Sequence, residues 1–362
     1  MTPVTGIAAF VYSDEYLKYS FGSNHPFQPI REKKTFDLLK KMEVFNGKAK
    51  HYEPRMASDD DLLLVHTKEY VTLVKKMSEA GSGYLDFGDT PATKGLYEGG
   101  LAVVGGSLTC ADLIMKEEVS HAFNPGGGLH HAKSDQASGF CVFNDIVITV
   151  RYLQERYGMK RIAIIDIDGH HGDGTQELLR AERILVIDFH RSGFGFFPGT
   201  GFVDEVGMGE GQGYTINVPL PAGTGDETYI GAFRELVPPL IRNYKPEIIL
   251  NQFGVDGHYG DPLVGLSLTT NTYKEVASIL HGLSHETCGG RYLVLGGGGY
   301  NLDNVPRCWA TMFLTISEAD SNKLNSVLDS IHITDAHSTS VAVKKTLADI
   351  KRQLQYYHGL GE

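Results

Sequence analysis

Residues 166–173 read Asp-Ile-Asp-Gly-His-His-Gly-Asp and follow the apolar run Ile162–Ile165. Continued as a strand, this segment puts Asp166, Asp168 and His170 on one face. Two carboxylates and an imidazole on a buried face are costly unless they are paired or bind a cation. Asp168 and His170 are therefore candidate metal ligands. They fall at the carboxyl end of the strand, where open α/β sheets place their sites. Asp256, in Gly254-Val-Asp-Gly-His258 after the expected strand Glu247-Ile-Ile-Leu250, is expected to supply the third ligand. Alone it reads as a turn aspartate; with the other two it reads as a ligand. An Asp-His-Asp set leaves coordination positions open to water and substrate, as catalytic metals require. Zinc fits first, and iron(II), cobalt or manganese would also suit the oxygen-rich set.

Other segments carry the groups such a metal would need. Pro125-Gly-Gly-Gly-Leu-His-His131 places adjacent His130 and His131 on a glycine turn, fit for proton transfer near neutral pH. It lacks the Lys-Ser/Thr of a phosphate-binding loop. Asp166 and Asp173 are placed to hydrogen-bond the two histidines and fix their tautomers; Asp173 also reads as a helix cap. His171 falls on the opposite face and is assigned no chemistry. Tyr300 follows four glycines, 296–299, and could donate its hydroxyl to a developing oxyanion. Phe196-Phe197 and Gly139-Phe140-Cys141 supply rings that could line a narrow channel for a methylene chain.

These segments need a scaffold that brings strand ends together. Short β-branched runs recur at 7–12, 162–167, 184–189, 248–252 and 292–295, with helix-like stretches at 95–115, 144–157, 226–243 and 272–286. The alternation predicts a parallel sheet with helices on both faces. No repeat or linker interrupts it, so a single domain over 1–362 is expected, with a C-terminal helix at about 340–357 closed by Gly359-Leu-Gly361. The net charge of −11 argues against binding to nucleic acid or an anionic membrane. The start, Met1-Thr-Pro-Val-Thr, carries no basic leader, and no apolar stretch approaches 18 residues. Four cysteines without CxxC spacing suit a reducing compartment. A cytoplasmic protein is expected; the sequence does not set its oligomeric state.

Taken together, these residues resemble the zinc-dependent histone deacetylase family, which includes bacterial and archaeal deacetylase-like and acetoin-utilisation proteins. The resemblance runs from about Tyr12 to Trp309 through His25-Pro-Phe-Gln-Pro-Ile-Arg31, Gly127-Gly-Leu-His-His131, Asp166–Gly174, Phe197-Pro-Gly-Thr-Gly201 and Gly296–Trp309. It implies an arginase/deacetylase-like α/β domain with a mostly parallel eight-stranded sheet, and hydrolysis of an N-acetyl amide, foremost that of acetyl-lysine. It implies zinc on Asp168, His170 and Asp256, His131 as general base and then acid, His130 assisting electrostatically, and Tyr300 polarising the acetyl carbonyl. Gly139, Phe140, Phe197 and Leu263 would line the acyl-lysine channel, Asp89 would hold the substrate backbone at the rim, and Arg31 would sit in the internal pocket through which acetate leaves. A potassium ion is implied beside the zinc, at Asp166, Asp168, His170, Asp188 and Phe189. Three residues depart from the family pattern: Asp188 stands where serine is common, Gln28 where lysine is usual, and Gly169 where the family has a bulkier residue. The clustered carboxylates of Asp166, Asp168 and Asp188 themselves call for a counter-ion.

Three rival readings are weighed. A binuclear ureohydrolase on the same fold needs Asp-x-His-x-Asp, but Gly172 stands at the fifth position and His258 breaks the second acidic pair. A small-molecule deacetylase acting on acetylpolyamines shares the catalytic set; the long insertion that would mark it is not evident before the histidine loop. A non-enzymatic scaffold would not need His130, His131 and Tyr300.

Overall fold

The run Ile162–Asp166 is buried at every residue. Continuous rather than alternating burial is what a parallel strand shows when helices cover both faces of its sheet. In the computed structural model, which describes residues 8–358, eight parallel strands form one sheet: β1 (Ala8–Val11), β2 (Ala49–Tyr52), β3 (His121–Asn124), β4 (Ile162–Asp166), β5 (Leu185–Arg191), β6 (Thr215–Leu220), β7 (Ile248–Gln252) and β8 (Tyr292–Leu295). Their order is β2-β1-β3-β8-β7-β4-β5-β6, and every pairing is parallel. Helices flank the sheet and one hydrophobic core runs through it.

Strand order sets where the chemistry falls. The four loops that carry the candidate residues leave the carboxyl ends of β3, β8, β7 and β4, which are consecutive neighbours at the centre of the sheet. Register aligns Asp166 with Gln252 on one side and with Asp188 on the other, so strands distant in sequence deliver their last residues to one place.

The expected strands at 248–252 and 292–295 are found as read. Ile7, the call of no basic leader at 1–5 and the expected Gly359–Gly361 terminator lie outside the described residues. Two expectations need correction. First, β4 stops at Asp166, so Asp168 and His170 do not share a strand face. The Asp166 carboxylate instead accepts from the Asp168 amide (3.0 Å), and the Asp168 carboxylate accepts from the His170 amide (3.0 Å). These side-chain-to-backbone bonds two residues on are aspartate turns, and they curl the chain out of the sheet. Second, the 20-residue helix Leu96–Met115 is long and apolar enough to cross a bilayer by length and composition. Most of it is buried against β3 and the helix Asp145–Tyr157, so its apolar surface is core.

Candidate active site

The loop after β3 is anchored from outside itself. Asp145, the first residue of the helix Asp145–Tyr157, accepts hydrogen bonds from the amides of Gly128 (3.0 Å) and Leu129 (2.8 Å) and from the Ser107 hydroxyl (2.6 Å). Thus fixed, His130 and His131 point inward with their Nε2 atoms 3.0 Å apart. Each ring is held at its far nitrogen by a carboxylate. His130 Nδ1 lies 2.8 Å from Asp166 Oδ2, and His131 Nδ1 lies 2.7 Å from Asp173 Oδ1. Asp173 opens a helix, yet its side chain does not cap that helix.

The two histidines differ in charge. Burial disfavours an imidazolium at His130, but the neighbouring Asp166 and Asp168 outweigh it and raise the pKa. Burial and the adjacent His130 push His131 down to about 4. The pair therefore combines a cationic ring with a neutral one whose Nε2 can accept a proton, a separation of roles set by environment.

Ligand atoms of Asp168, His170 and Asp256 lie within 4.8 Å of one another, and all three residues are buried. His170 Nδ1 is 2.9 Å from Asp256 Oδ2 and 3.3 Å from Asp168 Oδ1. Asp168 Oδ2 accepts from Gln252 Nε2 and the Gly298 amide, both at 2.7 Å; Asp256 Oδ1 accepts from the Gly169 amide at 2.6 Å. Burial and the charge of Asp168 raise Asp256 to about 7, a repulsion that a cation relieves. Two oxygens and one nitrogen, the carboxylates each oriented by a further hydrogen bond, fit a divalent metal with open positions.

Around this cluster stand the expected substrate-lining residues. Phe197 packs edge-on to His131, with ring centroids 4.9 Å apart; Phe140 packs edge-on to Tyr300 at 5.8 Å. Gly139 adopts φ 52°, and a Cβ there would come within 2.5 Å of His131 Cδ2 and 2.9 Å of Phe197 Cε1. Phe140 also holds a left-handed backbone at φ 66°, a conformation costly for a bulky residue. Its amide donates to Thr90 Oγ1 (3.2 Å) and its carbonyl accepts from the Tyr19 hydroxyl (2.8 Å). Asp89 is exposed beside Thr90, and Leu263 is exposed as well. Arg31 is buried beneath the Tyr300 turn, donating to the Gly299 carbonyl at 2.8 Å and lying over the rings of Phe27 and Trp309.

Asp188 faces Asp166 across β4 and β5. The expectation of uncompensated charge there overlooked His190, whose Nδ1 is 2.7 Å from Asp188 Oδ1, while the Gly172 amide donates to Oδ2 at 2.8 Å. Burial works against the charge of Asp188, but His190 holds its carboxyl below the usual range. Phe189 is fully buried beside it, against Tyr229 and Phe233. His171 contacts Thr200 Oγ1 (2.8 Å) and Gln176 Oε1 (3.0 Å) and stays out of the cluster. His258 is turned to Asp329 at 3.0 Å.

Besides His190, the sequence reading missed three residues that position the site, and it took Phe196 only as a channel ring. Asp145 and Gln252 orient the loops, and Asp261 accepts the Tyr300 amide at 2.8 Å. Phe196 stacks on His170 with ring centroids 5.0 Å apart and planes 10° from parallel. Only Phe196 carried a signal, as the neighbour of Phe197; the others look like ordinary helix, strand and turn residues.

The histone deacetylase domain matches residues 25–316. The acetoin utilization protein AcuC of Bacillus subtilis (strain 168) is 40% identical over 322 residues, covering 86% of this chain and 83% of that protein. The AcuC of Staphylococcus xylosus is 38% identical over 326 residues, covering 87% and 84%. Among solved structures, the crystal structure of the HDA15 HD domain superposes with a TM-score of 0.86 at 29% identity, covering 98% of this chain and 96% of the other.

Proposed function

The chain belongs to the histone deacetylase family and is a deacetylase-type hydrolase; from that premise we propose that it removes acetyl groups from lysine side chains of proteins or peptides. The observation that carries this reading is the pair of carboxylate-held histidines, His130 with Asp166 and His131 with Asp173, beside the Asp168–His170–Asp256 cluster. Asp168, His170 and Asp256 would hold zinc, with iron(II) acceptable to the same donors. When bound, such an ion supplies Lewis acidity toward water and the acetyl oxygen. His131 takes a proton from the attacking water at Nε2 while Asp173 fixes Nδ1–H. It then returns that proton to the departing lysine amine, so acetate and a free amine balance the amide and water consumed. His130, cationic beside Asp166, favours the negative charge that develops nearby. Tyr300 donates its hydroxyl to the acetyl oxygen as that charge grows.

Phe140, Phe197, Gly139 and Leu263 suit a channel for the lysine methylenes, Asp89 the substrate backbone, and Arg31 the acetate product. A potassium ion is proposed at Asp166, Asp168, His170, Asp188 and Phe189, sharing the Asp188 carboxylate with His190. The whole chain is read as one domain working in the cytoplasm, and the four buried free cysteines agree with a reducing compartment. A panel of acetyl-lysine peptide, acetylpolyamines and longer acyl-lysines tests the substrate. Turnover of the peptide supports the reading. Turnover of acetylpolyamines alone replaces the substrate class, and turnover of none of them rejects the activity.

A further inference from the structure

A second group of imidazoles lies at the other end of the sheet. His121 is the first residue of β3, so it sits at the amino end of the strand whose carboxyl end feeds the catalytic loop. His281 and His285 lie one turn apart on the helix Thr270–Cys288 and therefore share a face. The three Nε2 atoms converge: His121 to His281 is 3.1 Å, His121 to His285 is 3.3 Å, and His281 to His285 is 3.1 Å. Hydrogen bonding does not account for this triangle. A neutral imidazole nitrogen offers either one hydrogen or one lone pair, so at most one of the three contacts is a hydrogen bond. The other two are close approaches of nitrogens with nothing to share.

An ion at the centre gives all three lone pairs a common acceptor. Zinc holds imidazole nitrogens at about 2.0–2.1 Å, which sets the corners of a tetrahedron about 3.3 Å apart; the observed edges of 3.1–3.3 Å fit that spacing. His121 is fully buried, His281 is half-buried and His285 is exposed, so the cluster has one wall in the core and one open to solvent. Glu318, held by Lys48 Nζ at 2.5 Å, adds a negative charge nearby.

We propose that His121, His281 and His285 form a second divalent-metal site, independent of the catalytic centre. Three imidazoles without a carboxylate or thiolate among them select zinc-class ions such as zinc, cobalt or nickel over magnesium or calcium. The ion pins the helix Thr270–Cys288 to the amino end of β3, leaving one coordination position to solvent.

The test is metal stoichiometry on the full chain, stripped with chelator and titrated with zinc alone. The parent binds two ions per chain. Asp256→Ala and His285→Ala each bind one, and the double variant binds none. His285 is exposed, so its truncation opens no core cavity, and His285→Gln checks that the loss follows the ligand rather than the fold. Cobalt(II) gives an independent readout. In the Asp256→Ala background it produces the visible absorption of a tetrahedral site, and adding His285→Gln abolishes that band. Retention of both zinc ions in His285→Ala and His285→Gln overturns the proposal, as does an Asp256→Ala protein that binds neither zinc nor cobalt. A parent that binds a single ion, lost with His285→Ala but kept in Asp256→Ala, upholds this site and instead rejects the metal reading of the catalytic cluster.

Discussion

Glu32 is fully buried beside Arg31, under the Tyr300 turn. Its Oε1 accepts from Arg31 Nε at 3.2 Å, and its Oε2 has no hydrogen-bond partner. Burial raises its pKa from 4.5 to about 7 against the pull of Arg31. Between these two values the folded chain holds a proton that the unfolded chain has released. Stability therefore falls as pH rises through that window and levels off above it. The gap is about 2.5 pH units at ~1.4 kcal/mol each, so the full loss is about 3 kcal/mol. Glu32→Gln keeps the shape and removes the titration. Urea denaturation of parent and variant, from about pH 5 to about pH 8, reads the difference between them. The parent should lose its advantage over the variant steadily up to about pH 7 and then run parallel to it. Curves that run parallel throughout would show that Glu32 is not protonated in the folded protein and refute the reasoning.

Tyr300→Phe should lower turnover of an acetyl-lysine peptide by about 100- to 1,000-fold with little change in KM. His131→Ala should cost at least as much and His130→Ala less; near-normal turnover in a metal-replete Tyr300→Phe protein rejects the assigned roles. Gly169→Ala should weaken metal binding, because its Cβ would stand 2.4 and 2.6 Å from the Val264 methyls and 3.0 Å from Asp256 Oδ1. Val264→Ala in the same chain should restore metal affinity, and an unrescued loss in an equilibrium metal titration would place the cause elsewhere. Asp188→Ser should shift the potassium dependence of activity, since it removes a carboxylate shared with His190; identical salt profiles for variant and parent would sink the cation assignment.

Motif residues were legible because their types are rare together. Asp168, His170 and Asp256 stood out as clustered charge after apolar runs, and His130, His131 and Tyr300 as side chains on bare glycine turns. The means of positioning was less legible. β4 ends two residues before Asp168, and the carboxylates of Asp166 and Asp168 themselves bend the chain. Local turn chemistry thus overrode the alternation of a strand. Asp145, Gln252 and Asp261 act across 16 or more residues, so no spacing announces them. His190 lies only two residues from Asp188, and its Nδ1 contact at 2.7 Å is a partner that a count of acids alone leaves out. Gly169 made sense only when Val264 was seen in the space a side chain would take. The helix Leu96–Met115 was expected at 95–115, but its four glycines dilute its apolar character and hid its apolar length.

The strand order also shapes how the protein must be made. β8, the last strand in sequence, fills the slot between β3 and β7. Until residues 292–295 leave the ribosome, the nascent chain carries two interior strand edges with nothing bonded to them, each ready to pair with another chain. The same late arrival brings the Gly298 amide that clasps Asp168, and Tyr300 two residues on. A chain truncated before this point lacks the central strand and both of these residues, and leaves the edges of β3 and β7 unpaired.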